Sequence, residues 1–366
     1  MLGAYFDAFA QDYAPYKGGA WCYEDGCIYR GLGLLHRATG DKRWLGHLSR
    51  MVDAQVSANG ALAGYSVEEF NIDNILAGRA LIYLYGLSGK ERYLNAARHL
   101  GRQLEEHPRT RSGVYWHKNI YPRQVWLDGL YMGLPFQIEL GLLTGNDDLV
   151  EDALRQISTA LDLTYRTETG LYAHGYDESR TQSWSDPRSG QSPTHWARAL
   201  GWLAMALVDV IELVSVERAE KHRLVSRTRA LFERILSLRT KNGLWLQVID
   251  MPALRGNYEE SSASAMFAYA LLCAGRLNIL PGATRAGETA LETLVATSVQ
   301  LGDKGRPEFL GICHVAGLGG YGERYRDGTP AYYLTEKVVA DDPKGVGPLI
   351  MAAAEEIMAK AALDTV

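Results

Sequence analysis

A repeat constrains the fold of this chain more than any other feature. CIYRGLGLLHRATGDKRWLGHLSRMV begins at Cys27, NILAGRALIYLYGLSGKERYLNAARHL at Asn74 and GLYMGLPFQIELGLLTGNDDLVEDALRQI at Gly129. Each joins an apolar helix rich in small residues to an amphipathic helix through a TGD, SGK or TGN turn. Looser copies occur in RALGWLAMALVDVIELV from Arg198 and in SASAMFAYALLCAGRLNIL. GPLIMAAAEEIMAKAAL, from Gly347, reads as a sixth apolar helix whose partner is the N-terminal segment. A helix that is apolar nearly all round is a buried one, and a helix charged on one face is an outer one. Six such pairs predict an all-α (α/α)6 toroid, a single unit over residues 1–366, in preference to an open solenoid. The long connections 146–197 and 302–346 suit a closed ring with one decorated end.

In such a ring the inner helices run parallel, so their N-termini and positive dipole ends open together and suit an anionic ligand. The residues at those starts are Glu24 and Asp25, Asn71 and Asp73, Trp126 and Asp128, His195, Trp196 and Arg198, Ser261 and Ser262, and Lys344. Capping alone accounts for an isolated Asp73, Asp128 or serine. It does not account for the interleaved Trp126, Trp196 and Trp202, whose flat faces suit sugar rings. Two carboxylates at one cavity mouth point to general acid–base work on a glycoside, and burial beside a like charge is expected to raise the pKa of one of them.

Composition excludes several classes. A formal charge of −5 over 366 residues argues against a nucleic-acid partner. Four cysteines, none in a C-x-x-C pair, read as packed thiols and not as a zinc site. The N-terminal sequence has no signal-like apolar run and no stretch approaches a membrane span, so a cytoplasmic protein without a membrane partner is expected. Gly317, Gly319 and Gly322 match G-x-G-x-x-G, but no strand–helix alternation surrounds them, and the 311–322 segment reads as a loop shaping the cavity wall. His36, His47, His99 and His107 read as solvated, as does the mixed-charge run Glu217–Arg229.

WLDGLYMGLPF (126–136), HWARALGWLAMALVD (195–209), SSASAMFAYAL (261–271) and DDPKGVGPLIMAA (341–353) together resemble glycoside hydrolase family 105, which contains the unsaturated rhamnogalacturonyl hydrolases. The likeness runs from about Asp25 to the C-terminus, with a partial likeness to the glucuronyl hydrolases of family 88. It implies release of a terminal 4,5-unsaturated uronic acid from a pectin-derived oligosaccharide, a small-molecule substrate, without metal or other cofactor. By position, it implies that Asp128 is the catalytic acid and Asp73 the second active-site aspartate. His174 in YAHGYD, Arg198 and Lys118 in YWHKNIYP would be polar substrate contacts, and Trp126, Trp196, Trp202 and Met132 would line the cavity. WCYEDGCIYRGL fits the family loosely and leaves the first aromatic contact between Tyr23 and Tyr29. An epimerase would want several axial histidines, where only His174 and His195 compete, and a non-catalytic sugar-binding protein would dispense with both aspartates.

Overall fold

The computed structural model describes residues 2–302 and 305–363. Its helices are α1 (Leu2–Asp12), α2 (Tyr23–Thr39), α3 (Lys42–Asp53), α4 (Gly78–Ser88), α5 (Glu91–Glu106), α6 (Leu127–Thr144) and α7 (Asp147–Thr164). There follow α8 (Ala197–Val214), α9 (Val216–Lys221), α10 (Leu224–Ser237), α11 (Ser261–Arg276), α12 (Ala283–Thr297), the short α13 (Pro330–Tyr333) and α14 (Pro343–Leu363). The apolar helices α2, α4, α6, α8, α11 and α14 pack on one another in that order, and α14 returns to α2. That last contact closes the ring and excludes the open solenoid.

The closing seam depends on two glycines. A Cβ on Gly347 would lie 2.6 Å from the Cys27 carbonyl oxygen, and one on Gly31 would lie 2.9 Å from Ile350 Cβ. The helices therefore approach closely only because both positions lack a side chain. Between inner and outer helices, Gly40, Gly89 and Gly145 adopt φ of 69°, 64° and 69° and return their N–H to the carbonyls of His36, Tyr85 and Gly141. These are left-handed helix ends, as the TGD, SGK and TGN turns suggest. Asp41 and Asn146 then cap the following helices through Arg43 N and Leu149 N.

Two of the local readings need correction. His47 and His107 are buried: His47 Nε2 lies 2.8 Å from Asp7, and His107 Nε2 contacts the Trp116 carbonyl at 2.8 Å. The run Glu217–Arg229 is two helices, α9 and α10, broken at Arg223 (φ 60°), with Ala219, Leu224 and Val225 turned inward. All four cysteines are buried free thiols.

Part of the barrel axis holds a buried charge cluster. Asp209 accepts from Tyr269 Oη at 2.5 Å, from Arg30 at 3.3 Å and from Arg79, while Arg79 also donates to Glu139 at 2.7 and 3.0 Å. Tyr131 stacks on Trp202 nearby, with ring centroids 5.2 Å apart. Among the described residues no helix is long and apolar enough to cross a membrane.

Candidate active site

Neither aspartate is a helix cap. The residue before α6 is Trp126, which makes no side-chain cap bond, and Asp128 sits in the first turn behind it. Before α4 the chain makes a short 3-10 turn, Ile72–Ile75, whose cap is Asn71, and Asp73 lies within it. Before α11 the cap is Glu260, whose carboxylate accepts from Ser262 and Ala263 N–H. Asn71 and Glu260 thus cap their own turns, the start of α6 has no side-chain cap, and neither aspartate is spent on capping.

Asp128 Oδ2 lies 3.0 Å from His174 Nε2, offset from hydrogen-bond geometry, so both atoms are buried without a hydrogen-bond partner. The carboxyl is still reachable: 14% of the Asp128 side chain is exposed. On the far side of the imidazole, His174 Nδ1 meets Tyr333 Oη at 2.7 Å. Burial pushes the Asp128 carboxyl up, but positive charge at His174 and His117, contact with His174 and a backbone hydrogen bond together hold it below the usual range. A raised pKa at this carboxylate, expected from its neighbours in sequence, is not what its surroundings give when His174 is charged.

Asp73 forms the second half. Lys118 Nζ is 2.6 Å from its Oδ2, while Oδ1 is buried without a hydrogen-bond partner, 3.8 Å from His117 Nε2. Burial would lower the Lys118 pKa, but Asp73 more than offsets it. His117 is pushed down to about 4 by burial, against the pull of Asp73. Asp73 acts on it most strongly of the charged groups around it, with Lys118, Asp128 and His174 contributing less. The Asn71–Lys118 bridge and the hydrogen bond from Ile72 N to the His117 carbonyl hold this strip against the 3-10 turn.

The aromatic residues serve mainly as walls. His117 and Tyr121 lie side by side over Trp126, with centroids 4.2 and 4.8 Å from it, and Arg326 lies 5.7 Å from the same ring. Trp196 stacks on Tyr333 at 5.6 Å and contacts His174 at 4.9 Å. Both indoles are almost fully buried. Trp202 and Met132 are buried in the barrel as well. Of the two candidate aromatic contacts, Tyr29 is buried on Gln55, at 2.7 Å. Tyr23 is half-buried and feels the charges of Glu24, Asp73 and Arg198, which puts it at the site.

Arg198 is anchored by Ser262 Oγ (3.3 Å) and the carbonyls of Cys313 and His314, and its buried Nε has no partner. Those carbonyls belong to the 311–322 segment, so this loop does shape the wall. Within it, Gly319–Tyr321 pairs with Arg324–Arg326 in a β-hairpin and not with a nucleotide-binding helix. Lys344 is committed to Asp342, at 2.8 Å, and Ser261 and Ser262 to Ser298 and Glu260. His195 meets the Tyr172 carbonyl and Thr169, so it stands apart from the aspartates. A groove of about 790 Å³ opens beside the mouth, lined in part by Tyr13, Tyr16, His314 and Asp342. Among the described residues no group of three or more His, Cys, Asp or Glu side chains is arranged to hold a metal ion.

Sequence reasoning missed two members. His117 sits beside Lys118 in YWHKNIYP and could have been found there. Tyr333 lies 159 residues from His174, in a stretch without any pattern of its own.

The comparisons with known proteins agree with this architecture. The model of Glycosyl Hydrolase Family 88 matches residues 8–360. A solved family 105 glycoside hydrolase from C. acetobutylicum superposes with a TM-score of 0.88 at 37% identity, over 92% of this chain and 94% of that one. A 24.9 kDa protein in the picA locus of Rhizobium radiobacter is 56% identical over 232 residues, 62% of this chain and 99% of the relative. The unsaturated rhamnogalacturonyl hydrolase YesR of Bacillus subtilis is 26% identical over 264 residues, 70% of this chain and 72% of its own. A match across nearly the whole chain, on a closed six-hairpin toroid, places this protein among the family 88 and family 105 glycoside hydrolases.

Proposed function

We propose that this enzyme releases a terminal 4,5-unsaturated uronic acid from pectin-derived, rhamnogalacturonan-type oligosaccharides. The observation that carries the reading is the pair of uncapped, buried and incompletely bonded carboxylates, Asp128 and Asp73, at the mouth of a toroid from this family. The C4=C5 bond of such a uronate is an enol ether. Asp128 gives a proton to C4, which leaves an oxocarbenium-like charge at C5. Water adds at C5 and loses a proton to the site. The hemiketal then opens: the C5 hydroxyl loses its proton as a ketone forms there, the ring oxygen leaves C5 and takes a proton, and the hemiacetal left at C1 collapses to an aldehyde, releasing the aglycone as an alcohol.

Asp73, held by Lys118, orients the water or a sugar hydroxyl, and the unpartnered Nε of Arg198 leaves a donor for the uronate carboxylate. Trp126, Trp196, Trp202 and Met132 fix the walls. The pectin assignment draws on the name of the Bacillus subtilis relative.

The test mixes purified protein with unsaturated disaccharides from rhamnogalacturonan and pectate lyases and with unsaturated glycosaminoglycan disaccharides, following the ultraviolet absorbance of the double bond. Rapid loss with the rhamnogalacturonan product, and little with the glycosaminoglycan product, is expected. The reverse order would move the enzyme to glycosaminoglycan fragments. No loss with any substrate would contradict the hydrolase reading.

A further inference from the structure

We infer that Tyr333 is a positioning residue: its hydroxyl donates to His174 Nδ1, holds the imidazole neutral with its proton on Nε2, and so lets Asp128 carry the proton the reaction needs. The inference rests on the hydrolase reading above for its activity test, but not for its structural one.

Among the described residues, His174 Nδ1 is the one hydrogen-bond partner of the Tyr333 hydroxyl, at 2.7 Å. Burial keeps that phenol protonated, far above its ordinary pKa, so it brings a proton to the contact. Nδ1 must then accept, and an imidazole whose Nδ1 accepts carries its single proton on Nε2. Nε2 lies 3.0 Å from Asp128 Oδ2, out of hydrogen-bond alignment, so its N–H stands beside that oxygen as a donor that a small turn of either side chain would bring into line. Oδ2 thus has a neutral donor, and the other oxygen can hold a proton for C4.

The charged and titratable groups around His174 are Asp128 on α6, His117 on the strip before Trp126, and Tyr333 on α13; Arg198 lies against Trp196, and Arg326 lies against Trp126 and acts on Tyr333. His117 is neutral above about pH 4. With His174 neutral as well, the two cations that would draw a proton off Asp128 are absent, and burial is opposed only by hydrogen bonds. Trp196 stacks on the Tyr333 ring at 5.6 Å and fixes the hydroxyl's direction.

Tyr333→Phe keeps the stacked ring and removes only the donor. The expected result is a kcat lowered by about tenfold or more with KM little changed, and an alkaline limb of the pH profile moved to lower pH, because His174 is freed to take a second proton. A second readout uses ¹⁵N-histidine-labelled protein. In the parent protein His174 should show an unprotonated Nδ1 and a protonated Nε2 at neutral pH, and Tyr333→Phe should lose that pattern. An unchanged pH profile together with unchanged His174 signals would overturn the inference. So would a doubly protonated His174 in the parent at the pH of activity. A parent protein that leaves the double bond intact would instead contradict the hydrolase reading, while the nitrogen signals still decide the role of Tyr333.

Discussion

Two clusters of buried charge share this barrel and differ at their central carboxylates. Around Asp209, both carboxylate oxygens are taken, by Tyr269, Arg30 and Arg79, and Arg79 is shared with Glu139, although Arg30 Nε and the second Glu139 oxygen are buried without partners. Around Asp128 and Asp73, one oxygen of each carboxylate, both His174 Nε2 and His117 Nδ1, and the Nε of Arg198 are buried without partners. Leaving a buried polar atom unbonded costs about 1–3 kcal/mol, so a cluster of such atoms is maintained against stability. The central carboxylate of the first cluster is saturated and ties α8 to α2, α4 and α11, whereas Asp128 and Asp73 each keep one oxygen unbonded. On the function proposed above, the same residue types carry structure in one place and chemistry in the other, and the saturation of the central carboxylate separates the two.

Substitutions should fall on opposite sides of that division. Asp128→Asn is expected to lower kcat by about 10²–10⁴-fold while the denaturation midpoint stays close to the parent's. Asp209→Ala leaves Arg30 without its anion and Arg79 with Glu139 alone, and is expected to cost about 3–5 kcal/mol in urea unfolding, with kcat little changed in whatever folds. A large activity loss with intact stability at Asp209 would break the comparison. Asp73→Asn should lower kcat by about 10²-fold, and Lys118→Met, which frees Asp73 without removing it, should raise KM more than it lowers kcat.

The smallest effect concerns pH. His117 and His107 are each pushed by burial to about 4, from 6.5 in an exposed chain. The unfolded chain thus binds protons that the folded one refuses, so stability should fall as pH drops from about 6.5 towards 4. Urea midpoints measured across that range should decline, and less steeply in a His107→Gln protein. Equal midpoints at both ends would contradict the burial argument.

The ring was legible because its signal is local and periodic. TGD, SGK and TGN each place a left-handed glycine after an apolar helix, and Gly31 and Gly347 sit where α2 meets α14. The aspartates are legible as residues at helix starts, although the capping alternative is removed only by seeing that Asn71 caps in place of Asp73 and that Asp128 lies behind the Trp126 cap position. The indoles were read as sugar platforms, whereas Trp126 and Trp196 give their faces to His117, Tyr121 and Tyr333. Nothing in the periodicity of a chain tells which side of a ring is already covered. Tyr333 was invisible for a related reason: its importance comes from one long-range contact.

The most direct test of the central claim is to run the reaction in D₂O and examine the released sugar at early times. Protonation of the double bond by Asp128 predicts one solvent deuterium at C4 in each product molecule, formed as the ultraviolet absorbance falls, with neither change in Asp128→Asn. Aglycone released while the double bond persists, without deuterium at C4, would contradict it.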